Sequence, residues 1–587
     1  AWSPSRDGRL LAYQLSSGGD EESVLHVLDV ETGEAVGAPL DRTRYSSVAW
    51  LPDGTGFYYV RRESLDSPFD RRVLLHRFGR YRQSADRGTV GSDTYVFGEG
   101  RDPRTYYGVS LSKDGRWLVV TASVGTEPRD DVWIADLAAG PATETLTVVQ
   151  EGVDARCSAG VAFDGRLYVW TDRDAPRGRL CVADPTAPTA WTDLVAEDPD
   201  AVLVDFAVTD DAVVVCRSRH ALSELEVLDR TTGAPRATID LPGPGTVTAV
   251  IGRPDGGSQV WIGWTDWTTP PGVLVCDVAG VADVAASTPR TETWQSAPGG
   301  APELAVASRQ EIYRSSDGTE VRLSVLAPVD KAGTGAPDRP RPTVLYGYGG
   351  FGIAMDPGYT TSALAWVAAG GVWAVANLRG GTEEGEDWHR AGMREHKQNV
   401  FDDLHAAAEH LRSSGRASRL GIYGGSNGGL LVGAALTQRP DLYDAVVCSA
   451  PLLDMVRYEL FGLGRTWNDE YGTADDPTEL GWLLGYSPYH AVQVGPTYPA
   501  TSYPATLFEV FESDTRVDPL HARKMCAALQ AAQPPDGPPI LIRRETDVGH
   551  SARSVDRTVA LSVDTLSFLA GQLGLDLTAV AGAGETR

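Results

Sequence analysis

The chain has 587 residues, 42% of them hydrophobic, six cysteines and a formal net charge of −27. That length exceeds what one hydrophobic core can serve, so two or more domains are expected, and the acidic balance excludes the basic face that a nucleic-acid partner would need. The scattered cysteines (Cys157, Cys181, Cys216, Cys276, Cys448, Cys526) exclude a zinc site or a disulfide framework and fit a reduced, cytoplasmic compartment, while no apolar run reaches membrane-spanning length.

In chain order, residues 1 to about 300 alternate short β-rich runs with Asp-Gly turns. Ser3-Pro4-Ser5-Arg6-Asp7-Gly8 recurs as Leu51-Pro52-Asp53-Gly54, as Ser112-Lys113-Asp114-Gly115 and as Phe163-Asp164-Gly165, with weaker copies at Asp211 and Asp255. The spacings of 46, 61, 50, 47 and 44 residues are those of β-propeller blades, six of them visible, with a possible incomplete one at the start. A tandem of β-sandwiches is the alternative. The stretch Arg80 to Asp93 fits the pattern poorly, and because the chain opens at Ala1 without a signal peptide inside a repeat, residues are expected to be missing before it.

After about residue 300 the pattern changes. A Pro-rich segment, Thr334 to Pro342, precedes apolar strands that alternate with helices: Ala363 to Ala376 reads as a helix end followed by a buried strand, Val400 to Leu411 as an amphipathic helix, and Ala445 to Cys448 and Ala505 to Val510 as strands. Such alternation implies a mostly parallel sheet covered on both faces. The expected domains are therefore a propeller at 1–304 and an α/β unit at 305–587.

The second half carries Gly424-Gly425-Ser426-Asn427-Gly428, a G-x-S-x-G elbow between a short apolar strand and an alanine-rich helix. A serine hydroxyl becomes a useful nucleophile only when a tight turn, permitted by small neighbours, exposes it to a base. In this architecture the acid and then the histidine follow the serine along the chain. Asp514, after the strand ending near Phe511, and His550, after the strand beginning at Ile540, fill those places; Glu512, Asp518 and His521 are their rivals. The backbone amide of Asn427, directly after the nucleophile, is the expected first donor to an oxyanion.

Further runs, namely Tyr346-Gly347-Tyr348-Gly349-Gly350-Phe351, Asn377-Leu378-Arg379-Gly380-Gly381, Lys397 to Asp403 and Gln438 to Leu442, make the whole chain resemble the prolyl oligopeptidase family of serine peptidases. The resemblance implies a seven-bladed β-propeller capping an α/β-hydrolase catalytic domain, with the family's usual N-terminal segment absent here. It implies a triad of Ser426, Asp514 and His550, Tyr348 as second oxyanion donor, and Trp467 stacking on a substrate proline, walled by Phe351, Tyr471 and Val517 with Leu452 and Leu463. Arg516 resembles the arginine that binds a substrate carbonyl; an ion pair with Asp514 or Asp518 is its alternative.

The resulting expectation is a monomeric, cytoplasmic endopeptidase, without metal or cofactor, that cleaves short proline-containing peptides on the carboxyl side of proline. Two alternatives stand beside it. One is a related peptidase releasing acylated residues or cutting after basic ones; the other is a propeller scaffold with an inactive hydrolase half.

Overall fold

The computed structural model describes residues 1–78, 93–281, 289–300, 302, 304–329, 339–492, 502–550 and 553–578. The poorly patterned stretch from Arg80 lies, except for Asp93, outside the described residues. Among them no helix is long and apolar enough to cross a membrane.

The Asp-Gly phrases are turns with a common mechanism. In the first four the aspartate folds back so that its carboxylate accepts the amide two residues on, Asp7 from Arg9, Asp53 from Thr55 (3.0 Å), Asp114 from Arg116 (3.0 Å) and Asp164 from Arg166. The glycine that follows takes the left-handed conformation, φ 66° at Gly54 and 73° at Gly115. Each turn joins the first two strands of one antiparallel sheet.

Six such sheets follow one another, over residues 2–29, 48–97, 105–150, 157–195, 202–239 and 246–295, the first of three strands and the rest of four. The propeller therefore has six blades among the described residues, not the seven that the resemblance implied. The Asp markers, one per sheet, count six blades; the seventh came from the resemblance, together with the possible incomplete blade read at the start. Trp2–Pro4 already pairs along Leu10–Leu15, so the propeller is present from the first residues.

The second unit is one eight-stranded sheet. Its strands are β1 (Val306–Arg314), β2 (Glu320–Pro328), β3 (Arg341–Tyr346), β4 (Val372–Asn377), β5 (Ala417–Gly425), β6 (Ala445–Ser449), β7 (Ala505–Phe511) and β8 (Ile540–Glu545), in spatial order β1-β2-β4-β3-β5-β6-β7-β8. Only the β1–β2 and β2–β4 pairs are antiparallel.

Helices cover both faces. On one, α2 (Gln398–Ser413), α3 (Asn427–Gln438) and α4 (Leu520–Ala532) bury Phe401, Leu404, Leu431, Met525 and Leu529 against the sheet. On the other, α1 (Thr361–Ala368) and α5 (Val555–Leu573) bury Trp366, Leu569 and Leu573. With both faces covered the central strands are apolar throughout, and every residue of β4, β6 and β7 is buried. The loops after β7 and β8 touch the propeller, Thr515 at Asp20 and Gly549 at Gly19, and the candidate site lies at the carboxyl ends of β5, β7 and β8.

Candidate active site

Ser426 lies between β5 and α3 with φ 56° and ψ −119°, a strained conformation for a residue with a side chain. Its amide is anchored on the carbonyl of Ser449 in the next strand (2.9 Å). The flanking glycines are needed on contact grounds. A Cβ on Gly424 would stand 2.1 Å from the carbonyl oxygen of Gly428, and one on Gly428 2.9 Å from that of Gly347. The turn that lifts the serine out of the sheet therefore closes only where side chains are missing.

Asp514 and His550 come together above the adjacent strand ends. His550 Nδ1 and Asp514 Oδ2 are 2.6 Å apart, and the other carboxylate oxygen accepts the amides of Arg516 (2.9 Å) and Val517 (3.0 Å), so the acid is fixed before it meets the imidazole. The two loops are tied by Ser513 N–H donating to the carbonyl of Val548 (3.0 Å). Among the described residues His550 makes no hydrogen bond to Ser426.

The rivals are engaged elsewhere. Glu512 pairs with Arg523 and Arg544, and Asp518 accepts the amide of Leu520 at the start of α4. His521 is buried, and its Nδ1 accepts the amides of Leu453 and Asp454, which makes it a neutral structural ring. Burial pushes its pKa down to about 4.

Tyr348 stands in the loop after β3, and its hydroxyl is near enough to Ser426 for the two to influence each other. Burial, with the nearby Glu470 charge adding to it, raises the phenol to about 12, so it remains a proton donor at neutral pH. Asn427 braces this loop from below: its Nδ2 donates to the carbonyl of Tyr348 (2.6 Å) and its Oδ1 accepts from the Tyr471 hydroxyl (2.8 Å). The Asn427 amide opens α3, in the first turn that the helical ladder leaves without acceptors.

Behind the loop lies a buried charged chain. Lys397 Nζ donates to the Gly349 carbonyl (3.0 Å) and to Glu470 (2.8 Å), whose other oxygen meets His389 Nε2 (3.0 Å). Burial alone would push the Glu470 carboxyl up; the Lys397 charge and the His389 hydrogen bond outweigh it and hold the pKa at about 2.

Of the expected wall residues, Phe351 and Trp467 are half-buried and present faces to solvent, while Tyr471, Val517, Leu452 and Leu463 are buried behind them. Phe351 packs edge-on against Tyr471 (5.5 Å) and Trp467 stacks on Tyr458 (6.5 Å). Arg516 pairs with neither Asp514 nor Asp518. Its guanidinium grips both oxygens of Glu21, on the propeller, at 2.7 Å each.

Sequence reasoning missed Glu21, Lys397 in its role behind the loop, Glu470 and His389. Glu21 lies 495 positions from its partner, and no local pattern reports such a pairing. Lys397 and Glu470 stand in motifs that were legible, but their significance comes from being buried as charges, a property visible only in three dimensions.

Two family descriptions cover the chain: "Prolyl oligopeptidase, N-terminal beta-propeller domain" over residues 1–284 and "Prolyl oligopeptidase family" over residues 357–576. The chain is 34% identical to a prolyl endopeptidase of Elizabethkingia meningoseptica, over 97% of this chain and 78% of that protein. It is 31% identical to a prolyl oligopeptidase of Omphalotus olearius, over 97% and 77%. A solved structure from work on two prolyl endopeptidases and their inter-domain dynamics superposes with a TM-score of 0.88 at 38% identity, over 98% of this chain and 82% of that one. Prolyl oligopeptidase B of Galerina marginata, bound to a 35mer hydrolysis and macrocyclization substrate, superposes at 0.87 with 25% identity, over 98% and 80%.

Proposed function

The chain belongs to the prolyl oligopeptidase family of serine peptidases, and from that premise we propose that it hydrolyses short peptides on the carboxyl side of proline through an acyl-enzyme on Ser426. The observation that carries the reading is the 2.6 Å Asp514–His550 pair held over the strained serine elbow. His550 takes the Ser426 proton as the hydroxyl attacks and returns it to the leaving amine; Asp514 holds the tautomer and stabilises the imidazolium. The negative charge on the tetrahedral oxygen is met by the Tyr348 hydroxyl and the Asn427 amide, each worth about 3–4 kcal/mol. Water then releases the acyl group by the same route. His550 has to close onto Ser426 for the first step, as catalytic hydrogen bonds commonly tighten only around bound substrate.

Specificity is read from Phe351 and Trp467. Flat aromatic faces favour a pyrrolidine ring, which stacks without giving up much conformational freedom. A basic side chain would need a free carboxylate there, and Glu470, the buried acid beside this wall, is already committed to Lys397 and His389. The reading includes a monomeric cytoplasmic enzyme, which six buried, unpaired cysteines suit.

The test is a set of blocked reporters differing only in the residue before the scissile bond, with fluorophosphonate labelling of the same protein. Turnover of the proline reporter and labelling lost in Ser426→Ala are the expected results. Preference for arginine defeats the specificity, and absence of labelling in folded protein defeats the mechanism.

A further inference from the structure

Among the described residues one group on the propeller lacks a counter-charge. Arg71 opens the strand Arg71–Arg77 of the second sheet, 1% exposed, and among those residues its Nε, Nη1 and Nη2 have no hydrogen-bond partner. What it has is a ring: its guanidinium carbon lies 3.9 Å from the centre of Tyr106. Burial lowers its pKa; Tyr106 opposes that, while Arg62 and Arg44 add to it, so this cation has like charges close by.

The neighbours do not relieve it. Arg62 spends itself on Glu22 and the Ser67 carbonyl, and Arg44 on Glu21 and Glu22, each leaving a buried Nε unpaired. Glu21 is shared again with Arg516. Four guanidiniums thus stand over two carboxylates, in a chain whose net charge is −27. A buried, unpaired guanidinium is destabilising, and an anion from outside the chain that paired with it would relieve that cost.

The cluster is continuous with the candidate site. Arg516 lies over the Tyr45 ring (5.7 Å), Tyr45 is 6.1 Å from Tyr106, and Tyr106 covers Arg71. Tyr45 is 40% exposed and Tyr106 half-buried, so the path from Arg516 to Arg71 is an aromatic rim over a cationic floor.

We propose that Arg71, backed by Arg44 and Arg62, is the seat of a carboxylate of the bound peptide, reached when Tyr106 turns aside. The carboxylate takes the place of the ring on the guanidinium and forms the two parallel N–H···O bonds that the planar fork is shaped for. Its source is an acidic side chain or the free carboxyl terminus. An extended peptide advances roughly 3.3 Å per residue, which places the acid roughly two to five residues from the one that Arg516 engages. The peptidase would then select acidic proline-containing peptides, against the repulsion of its own surface.

This inference rests on the peptidase reading, and its test separates the two. Internally quenched peptides with one proline carry Glu, Gln or Lys at each of the positions two to six residues before it and after it. A second set compares a free carboxyl terminus with its amide. At one position kcat/KM for Glu should exceed that for Gln by roughly tenfold, through KM, with Lys poorest, and the advantage should shrink as salt is added. If the carboxyl terminus is the source, the free acid beats the amide and the Glu series is flat.

In Arg71→Met the preference should vanish while the melting temperature holds or rises, because an unpaired buried charge has been removed. Equal rates for all charged and neutral pairs in the unaltered protein overturn the inference and leave the peptidase reading intact; no cleavage of any peptide overturns that reading instead. A preference that survives in folded Arg71→Met, or a lowered melting temperature with no preference in the parent, assigns the cluster to domain docking and also overturns it.

Discussion

Replacing Lys397 by methionine tests whether the charged chain behind the Tyr348 loop holds the site together. Lys397 and Glu470 are each 1% exposed by side chain and 2.8 Å apart. A carboxyl held at about 2 instead of its usual 4.5 represents roughly 3 kcal/mol of favourable interaction, at about 1.4 kcal/mol per unit. Removing one partner of a buried pair costs about 3–5 kcal/mol by general experience, because the survivor is left uncompensated. The two figures agree.

In Lys397→Met, Glu470 keeps only His389, and burial then draws its pKa upward. A raised carboxyl contributes stability below its unfolded pKa and loses it as pH rises through the folded value, so the variant's deficit should be larger at pH 8 than at pH 5. In the parent the sign is opposite: the depressed Glu470 contributes fully above about pH 4.5 and fades toward pH 2. Urea unfolding of the parent, Lys397→Met, Glu470→Gln and the double variant, followed by tryptophan fluorescence at both pH values, measures this. The double variant should be milder than Lys397→Met. A single-variant cost below about 1 kcal/mol, or a double variant no better than the single, refutes the reasoning.

Tyr348→Phe removes one oxyanion donor and should lower kcat by about 10²–10³ with little change in KM, measured on the proline reporter; a change confined to KM would count against that role. Gly424→Ala sets a Cβ 2.1 Å from the Gly428 carbonyl, so the elbow must open; fluorophosphonate labelling should fall to background even where the circular dichroism is that of the parent. Glu383 is fully buried, its pKa raised by burial to about 7, with one oxygen accepting the Met355 amide and the other unpaired. Stability from this protonated acid is present below about pH 4.5 and is lost as pH rises through 7, so Glu383→Gln should be the more stable protein at pH 8 and should flatten the fall in unfolding midpoint between pH 5 and 8.

What the sequence disclosed depended on whether a property is local. The Asp-Gly turns are local, since four of the six aspartates bond their own next-but-one amide, and the number of markers matches the number of blades; seven came from the resemblance, with a possible incomplete blade read at the start. Asp514 and His550 were locatable because the chain order of an elbow hydrolase narrows the choice, whereas His521 is eliminated only by two amides that arrive from residues 453 and 454. Arg516 was visible and its partner was not. The attachment to Glu21 joins opposite ends of the chain, and no periodicity encodes it.

The contact between Gly549 and Gly19 has a consequence for anyone who would recombine these domains. A Cβ on Gly549 would lie 1.6 Å from the carbonyl oxygen of Gly19, so the backbone beside the candidate base rests directly on the propeller. One residue on, the same propeller loop offers Asp20 O to the Thr515 hydroxyl (2.6 Å), and then Glu21 to Arg516. A chimera with a foreign propeller therefore has to reproduce three consecutive positions, 19 to 21, to within the width of a methyl group, however well its blades are formed. The loop between the second and third strands is a part of the hydrolase that happens to be encoded near residue 20.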